Sequence, residues 1–391
     1  MGATAVVTQA AARGANRHPQ NGFSLAGAVD RQRILAEAAD YVDLQPKTIT
    51  SFRAKRSPGG LHDYFSEADY FWPNPADPGG PYISRDGESN PNNFNEHRKA
   101  MIALSIQMPA LTAAWILTRR RAFAVKAADH LRAWFIRPET RMNPNLEYAQ
   151  GVHGVSTGRS YGIIDTVHLA EVARAATLVA PASLDAAEQA ALKAWFRDYL
   201  HWLQTSKKGI TEHDAKNNHA VCWALQASEY ARLVGDAATR ASVATDYEDR
   251  FVPDQMAADG SFPRELARTK PYGYSIFNFD MLAMLCQSLL DSGDDLFAFT
   301  LPDGRGICRA AAFLVPWLRD KSAWPYRKDV EHFDSLPVRI PSLLFCGLHC
   351  EREDWVALWR RLDPDTTDPE VIRNDPVRQP LLWFREAEAA A

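Results

Sequence analysis

The sequence lacks several features that mark common classes of protein. No continuous run of apolar residues reaches the ~18 residues that a membrane-spanning helix needs. The first 25 residues also lack the apolar core of a secretory signal peptide. Lysine and arginine (44) do not outnumber aspartate and glutamate (48), and the net charge of −4 argues against a nucleic-acid partner. The same balance gives no overall attraction for an anionic ligand, so any such attraction has to be local.

Cysteine is scarce as well. The five cysteines are Cys222, Cys286, Cys308, Cys346 and Cys350. Their number is odd and no paired CxxC motif occurs, so we expect buried free thiols rather than a zinc site or a disulfide framework. There is no HExxH motif or Cys/His array, and the His–Asp neighbours at 213–214 and 332–334 are typical of hydrogen-bonded structure. We therefore expect neither a metal nor a cofactor.

The chain does have helical periodicity, from about residue 26 to residue 362. Between His97 and Leu117, apolar residues recur at steps of three and four, which places them on one helix face. Pro109 lies inside this pattern and should kink or break the helix. Similar patterns predict further helices over roughly 28–42, 121–135, 162–179, 192–202, 217–234, 237–249, 279–289, 305–318 and 351–361. Strand signals are scarce.

Ten or more helices joined by loops predict helical hairpins packed side by side. An all-α toroid or barrel, (α/α) with inner and outer helices, closes such an array, although periodicity alone also allows a solenoid or an irregular bundle. The composition, 46% hydrophobic and 24% charged, is sufficient for a sizeable core. We expect residues 1–25 to be a disordered lead and residues 26–391 to form a single domain. The sequence carries no signal for the oligomeric state.

Two long loops interrupt the helical pattern. Residues 56–96 and 138–161 are rich in Pro, Gly, Asn and aromatic residues. Loops this long within a compact domain are usually functional or disordered, and the aromatic content favours function. Residues 154–158 formally match the GxSxG nucleophile elbow, but no α/β alternation surrounds them, so we set aside a hydrolase nucleophile. The apolar PLLWF at 380–384 is expected to dock onto the body.

Two segments concentrate polar residues that can carry chemistry. The first, KNNH at 216–219, places Asn218 and His219 where a loop becomes a helix, and its simplest interpretation is a capped helix. The second, residues 259–282, places Arg268 and Tyr274 in a Pro/Gly-interrupted stretch that leads into a clear helix. Taken singly, these residues also suit a charged surface loop with packed tyrosines.

Together the two segments resemble the alginate-lyase-like polysaccharide lyases, a superfamily of helical toroids. The matching motifs are NNH at 217–219, RELAR with YSIFN some 50 residues later, MNPNLEYAQG with GRSYGIID, and the strings at 72–98 and 324–339. The likeness runs from about residue 50 to residue 350 and is closest to the glucuronan and alginate lyases of polysaccharide lyase family 38. It implies a carbon–oxygen lyase whose partner is an acidic polysaccharide. We expect such an enzyme in the periplasm or outside the cell, although a cytoplasmic location is also compatible with the sequence.

The resemblance also implies roles for individual residues. Asn218 and His219 match the Asn–His pair of the family, Arg268 matches its site arginine, and Tyr274 matches its catalytic tyrosine. Tyr272 is the neighbouring competitor for that last role.

Candidates for substrate binding come from the two long loops. Arginine suits a sugar carboxylate because it can bind both oxygens, and aromatic rings suit the apolar faces of sugars. The candidates are Gln150, Arg159, Tyr161, Tyr70, Trp72 and Arg85.

The chemistry implied is β-elimination, which removes the C5 proton of a uronate and expels the O4 leaving group. Asn218, with His219 or Arg268, would neutralise the carboxylate as negative charge builds on it. In β-linked glucuronate or mannuronate both reacting groups lie on one face, so Tyr274 can serve as base and then as acid; in guluronate His219 would be the base. This role requires the pKa of Tyr274 to fall below the usual ~10, which Arg268 nearby would favour.

Two alternatives share the fold. A glycoside hydrolase would need two carboxylates facing one sugar, whereas the motifs centre on Asn, His, Arg and Tyr. A non-catalytic glycan-binding protein would keep the aromatic and arginine residues without turnover.

Overall fold

The computed structural model describes residues 19–385, with side chains from residue 22 onward. Within that range the chain forms fifteen α-helices. They are α1 (Pro19–Tyr41), α2 (Glu96–Thr118), α3 (Arg121–Leu131), α4 (Leu169–Ser183), α5 (Ala186–Thr205), α6 (Lys207–His213), α7 (Asn218–Val234), α8 (Ala237–Asp246), α9 (Val252–Gln255), α10 (Pro263–Leu266), α11 (Pro271–Leu289), α12 (Ile307–Arg319), α13 (Pro341–His349), α14 (Glu353–Arg361) and α15 (Pro369–Arg373).

The helices form two layers. The inner helices α2, α4, α7, α11 and α13 pack each against the next, and outer helices cover them: α1 and α3 on α2, α5 and α8 on α7, and α14 on α13. The inner and outer helices differ in how much of their surface is buried. Every residue of α11 from Ser275 to Leu289 is buried, whereas α5 buries only a stripe spaced by three and four. The predicted all-α (α/α) toroid is confirmed.

Helix α2 runs unbroken past Pro109, so the break allowed there does not occur. Proline removes one backbone hydrogen bond, but the packing of α1, α3 and α4 around α2 holds the helix together. Among the described residues, α2 alone is long and apolar enough to cross a membrane by length and composition. Of its most apolar window, 61% is buried inside the protein, as in a core helix.

Both long loops are folded and carry four short strands. Strand β1 (Phe65–Glu67) pairs in parallel with β4 (Tyr148–Gly151), and β2 (Phe71–Trp72) pairs antiparallel with β3 (Ile83–Ser84). The β1–β4 pair joins the two loops, which lie far apart in the sequence. The loops therefore form one wall of the molecule.

The two ends of the described chain differ in how well the sequence predicted them. Helix α1 begins at Pro19, so the disordered lead expected up to residue 25 is wrong for residues 19–25; residues 1–18 lie outside the described part. The docking of PLLWF is confirmed, because Leu381, Leu382 and Trp383 are buried and Gln287 donates a 2.8 Å hydrogen bond to the Trp383 carbonyl.

Cys308 and Cys350 form a disulfide, which corrects the expectation of free thiols throughout. Cys308 lies in the first turn of α12 and Cys350 directly follows α13. The packing of these helices brings the two Cα atoms to 5.8 Å, within bonding range. A separation of 42 residues gave no local signal for this pairing. The remaining cysteines are buried free thiols, as expected.

Candidate active site

A cleft of about 670 Å³ opens where α7 and α11 begin. The loops around β2, β3 and β4, the short helix α10 and the distant helix α15 complete its walls. The predicted residues that line it are Asn218, His219, Arg268, Tyr274, Gln150, Arg159, Tyr161 and Tyr70. The other two, Trp72 and Arg85, do not line the cleft but contact one another, with the Arg85 guanidinium carbon 5.0 Å from the centre of the Trp72 ring.

Tyr274 lies in the first turn of α11 and projects into the cleft. Its hydroxyl donates a 2.9 Å hydrogen bond to the Tyr70 hydroxyl, and the Arg268 guanidinium carbon lies 4.6 Å from its ring centre. Burial raises the pKa of Tyr274 to about 12, although Tyr70 and Arg268 both act to lower it. The lowered pKa that we expected is therefore wrong, because desolvation of the phenolate outweighs the nearby charge.

Tyr272, the competing candidate, occupies a different environment. It is fully buried in the core and its hydroxyl donates a 3.0 Å hydrogen bond to the Trp317 carbonyl. Successive residues of a helix point about 100° apart, so residues 272 and 274 point about 200° apart. Tyr274 can therefore face the cleft while Tyr272 faces the core.

Arg268 is held by Asp86, a residue of the loop that follows β3. The guanidinium donates two hydrogen bonds to the carboxylate, Nη2 to Oδ1 at 2.7 Å and Nε to Oδ2 at 3.2 Å. Thr269 donates a third to the same carboxylate, at 2.9 Å. Burial acts to raise the pKa of Asp86, but hydrogen bonds from Arg268 and Thr269 lower it overall. The carboxylate thus fixes Arg268 over the Tyr274 ring.

Two buried glutamates support the Asn–His pair. His219 Nδ1 lies 2.5 Å from Oε1 of Glu212, which is 1% exposed, and this contact with a carboxylate makes Nδ1 the donor. The backbone N–H of Asn218 donates a 3.0 Å hydrogen bond to Oε1 of Glu265, which is also buried. Burial raises the pKa of Glu265.

Tyr70 is anchored by α15, a helix that the sequence analysis did not associate with the site. Its hydroxyl donates to Glu370 Oε1 and accepts from Arg373 Nη2, both at 3.3 Å. Arg373 also contacts Asp69, which lies 2.5 Å from Arg98. Burial would raise the pKa of Asp69, but Arg373 and Arg98 lower it to about 2.

Arg159 is a preorganised cation in the cleft. Its Nε donates to the Gln150 carbonyl at 3.1 Å and Nη2 donates to the Gln150 side-chain oxygen at 3.0 Å. The guanidinium carbon lies 4.7 Å from the ring centre of Phe71 and 5.2 Å from that of Tyr161. Gln150 in turn donates to Asp165 at 3.0 Å. Among the described residues, no carboxylate lies within ion-pair distance of Arg159.

The GxSxG match and the His–Asp neighbours noted in the sequence have structural roles. The Ser156 hydroxyl donates to the Gly158 carbonyl at 2.7 Å, in a turn that no α-helix follows directly. His213 bridges Asp214 and Asp246, and His332 contacts Asp368 at 2.8 Å. Within residues 19–385, no group of three His, Cys, Asp or Glu side chains is arranged to hold a metal ion.

Sequence reasoning missed five residues that shape the cleft, namely Asp86, Glu212, Glu265, Glu370 and Arg373. Asp86 adjoins Arg85 and Glu265 lies inside RELAR, so the motifs contained a signal for these two. Nothing in the sequence linked Glu370 and Arg373 to the site, because their contacts span about 300 residues.

Comparison with known proteins identifies the class. The family model described as alginate lyase matches residues 48–324, more than half of the chain. The protein is therefore a polysaccharide lyase, which sets aside the hydrolase and non-catalytic alternatives. The chain belongs to the alginate lyase family.

Solved structures agree with this assignment. An alginate lyase from Bacteroides ovatus superposes with a TM-score of 0.80 at 27% identity, covering 95% of this chain and 100% of that one. Alginate lyase A1-III from Sphingomonas species A1 gives 0.53 at 14% identity, covering 94% and 98%. A variant of A1-III complexed with a tetrasaccharide gives 0.60 at 14%, covering 94% and 95%. The A1-III matches show the fold alone. No curated protein sequence matches the chain significantly.

Proposed function

We propose that the protein cleaves a β-1,4-linked polyuronate, either glucuronan or mannuronate-rich alginate, by syn β-elimination. The products would carry 4,5-unsaturated uronate ends. The observation that carries the proposal is the presence in one cleft of Tyr274, paired with Tyr70 beneath Arg268, and of the Asn218–His219 pair.

Local charge supports an acidic substrate despite the net charge of −4. Arg159, Lys216 and Arg264 line the cleft. Arg159 is the best suited to a sugar carboxylate, because its guanidinium is oriented by Gln150 and no carboxylate of the described residues lies within ion-pair distance of it. A substrate carboxylate would form an ion pair with this partly buried guanidinium.

Asn218 and His219 are assigned to the carboxylate of the uronate that loses its proton. As C5–H breaks, negative charge moves onto that carboxylate, and donors already in place stabilise it by about 3–4 kcal/mol each. The contact between His219 Nδ1 and the buried Glu212 supports this role, because it holds the imidazole in a fixed orientation at the cleft.

Tyr274 is assigned to both proton transfers. The phenolate takes the C5 proton, the C4–O4 bond breaks, and the resulting phenol returns the proton to O4, so each turnover regenerates the phenolate. With a pKa of about 12, forming the phenolate at pH 8 costs about 5 kcal/mol. A barrier of about 16 kcal/mol corresponds to a rate near 10 s⁻¹, so this cost fits within an enzymatic barrier.

A second candidate is anti elimination on guluronate, with His219 as the base. The contact of its Nδ1 with Glu212 favours it, because Nδ1 is then occupied by the carboxylate and Nε2 is the ring nitrogen left to take the C5 proton.

The test is a panel of purified glucuronan, polymannuronate, polyguluronate and a glycosaminoglycan, monitored for the ultraviolet absorbance of the C=C–COOH product. Cleavage of glucuronan or polymannuronate with rising absorbance supports the proposal. Preferential cleavage of polyguluronate would favour the anti mechanism, and cleavage with saturated ends would overturn elimination altogether.

We also propose that the enzyme works in the periplasm or outside the cell. The Cys308–Cys350 disulfide supports this, because such bonds persist in oxidising compartments. Alkylation of denatured protein from its native host should label only three of the five cysteines until a reductant is added. Labelling of all five without reductant would argue for a reducing compartment.

A further inference from the structure

Helix α7, which carries Asn218 and His219, is capped by a residue from another element. Its own N-cap residue, Asn217, makes no side-chain cap hydrogen bond. The Asn218 N–H donates instead to Glu265 of α10, at 3.0 Å. Glu265 is 1% exposed, so water cannot replace it easily. An acid 47 residues away therefore fixes the first turn of this helix.

Helix α11, which carries Tyr274, is capped in the same way. Its N-cap residue, Lys270, has no side-chain acceptor. Asp329 supplies both acceptors, Oδ1 for the Tyr272 N–H and Oδ2 for the Gly273 N–H, each at 2.8 Å. A Cβ atom at position 273 would lie only 2.9 Å from Oδ2, which accounts for glycine there.

A cap from outside the helix has a consequence that an ordinary cap lacks. At the start of α8, Asp236 caps its own helix by accepting the Thr239 N–H, and this contact stabilises α8 without tying it to anything else. Glu265 and Asp329 instead join each helix start to another segment. Because a carboxylate at a helix N-terminus is also favoured by the helix dipole, these contacts determine where each helix begins.

We propose that Glu265 and Asp329 are positioning residues, which set the first turns of α7 and α11 and thereby the placement of Asn218 and His219 relative to the Tyr274 hydroxyl. This inference rests on the proposed function, since it assumes that these groups act together. A misplacement of about 1 Å between reacting groups can cost ~10²-fold in rate.

The test compares Glu265→Gln and Asp329→Asn with Asp236→Ala. The two amide variants keep the side-chain shape but remove the charge at the helix start. Asp236→Ala removes an ordinary cap from a helix that does not line the cleft. We expect kcat to fall at least tenfold in both amide variants with KM within threefold, while Asp236→Ala lowers Tm and keeps the wild-type kcat.

Gly273→Ala is a second route to the same disturbance, because its methyl group would displace the Asp329 carboxylate while every functional group remains. If an amide variant does not fold, Gly273→Ala still tests the positioning role. We expect kcat to fall in Gly273→Ala as well. The inference is overturned if the folded variants keep kcat within twofold of wild type, or if Asp236→Ala loses as much kcat at an equal loss of Tm.

Tyr274→Phe is assayed in parallel to separate this inference from the proposed function. If Tyr274→Phe stays active, the proposed function fails. If it is inactive while Glu265→Gln and Asp329→Asn behave as wild type, only the positioning role fails.

Discussion

The hydroxyl of Tyr274 donates a 2.9 Å hydrogen bond to the hydroxyl of Tyr70, and Tyr70 donates in turn to Glu370. A hydroxyl is both donor and acceptor. When Tyr274 loses its proton, rotation of the Tyr70 O–H can direct a hydrogen bond to the phenolate oxygen, while Arg373 continues to donate to Tyr70. The pair therefore accommodates both protonation states of Tyr274.

Replacing Tyr70 by phenylalanine should shift the pH dependence of catalysis. The hydrogen bond with Tyr70 acts to lower the pKa of Tyr274, so its loss should raise that pKa further. At any pH below the pKa the phenolate fraction then falls, so kcat/KM at pH 8 should drop and its alkaline rise should move to higher pH. Initial rates between pH 6 and 10 measure this, with Tyr326→Phe, outside the cleft, as the control. A wild-type profile that is already flat near neutrality would contradict the proposed base.

The two neighbouring tyrosines should differ sharply on substitution. Tyr274→Phe removes the proposed base and acid and should lower kcat by at least ~10³-fold. Tyr272→Phe loses one hydrogen bond to the Trp317 carbonyl, about 1 kcal/mol of stability, and should keep near-wild-type kcat. Steady-state rates and Tm of both variants decide this, and comparable losses of kcat in the two would count against the assignment.

Arg159→Lys should weaken binding of the polymer more than it slows chemistry. Lysine keeps the charge but cannot make both hydrogen bonds to Gln150 or stack flat against Phe71 and Tyr161. We expect KM to rise ~10-fold with kcat within threefold. Arg137→Lys, an exposed position outside the cleft, is the matched control. An unchanged KM would mean that Arg159 has only a structural role.

The disulfide should contribute to stability but not to activity. Closing a loop of 42 residues is worth about 4 kcal/mol in the chain-entropy account. The double variant Cys308→Ala, Cys350→Ala should therefore unfold at a clearly lower temperature and keep the wild-type kcat/KM, because neither residue lines the cleft. A Tm that does not depend on reductant would show that the bond is absent in solution.

Asp280→Asn should stabilise the protein above neutral pH. Burial raises the pKa of Asp280 to about 7, so between its usual range near ~4 and 7 the folded state holds a proton that the unfolded state releases. The free energy of unfolding therefore falls as pH rises through this window. The neutral amide avoids that loss, and its oxygen can still accept the 3.1 Å hydrogen bond from the Ser342 backbone N–H.

Melting curves at pH 5 and pH 8 test this prediction. From pH 5 to pH 8, the Tm of the wild-type protein should fall by more than the Tm of Asp280→Asn. Glu171, whose pKa burial also raises to about 7, should leave some pH dependence in both proteins. Equal losses of Tm would show that Asp280 does not titrate in this range.

The sequence was most informative where local rules act. Periodicity predicted α2 and α7 nearly to their ends, and NNH and RELAR predicted the starts of the segments that line the cleft. It was least informative where tertiary packing decides. The Cys308–Cys350 bond depends on how α12 and α13 pack, and the pKa of Tyr274 depends on burial that no motif reveals.

The placement of α15 has a consequence for biosynthesis. Arg373 and Glu370 hold Asp69 and Tyr70, which precede them by about 300 residues. A ribosome therefore releases Asn218, His219 and Tyr274 well before the segment that holds Asp69 and Tyr70. During synthesis the growing chain should therefore remain inactive toward polymer until α15 has been made and has docked.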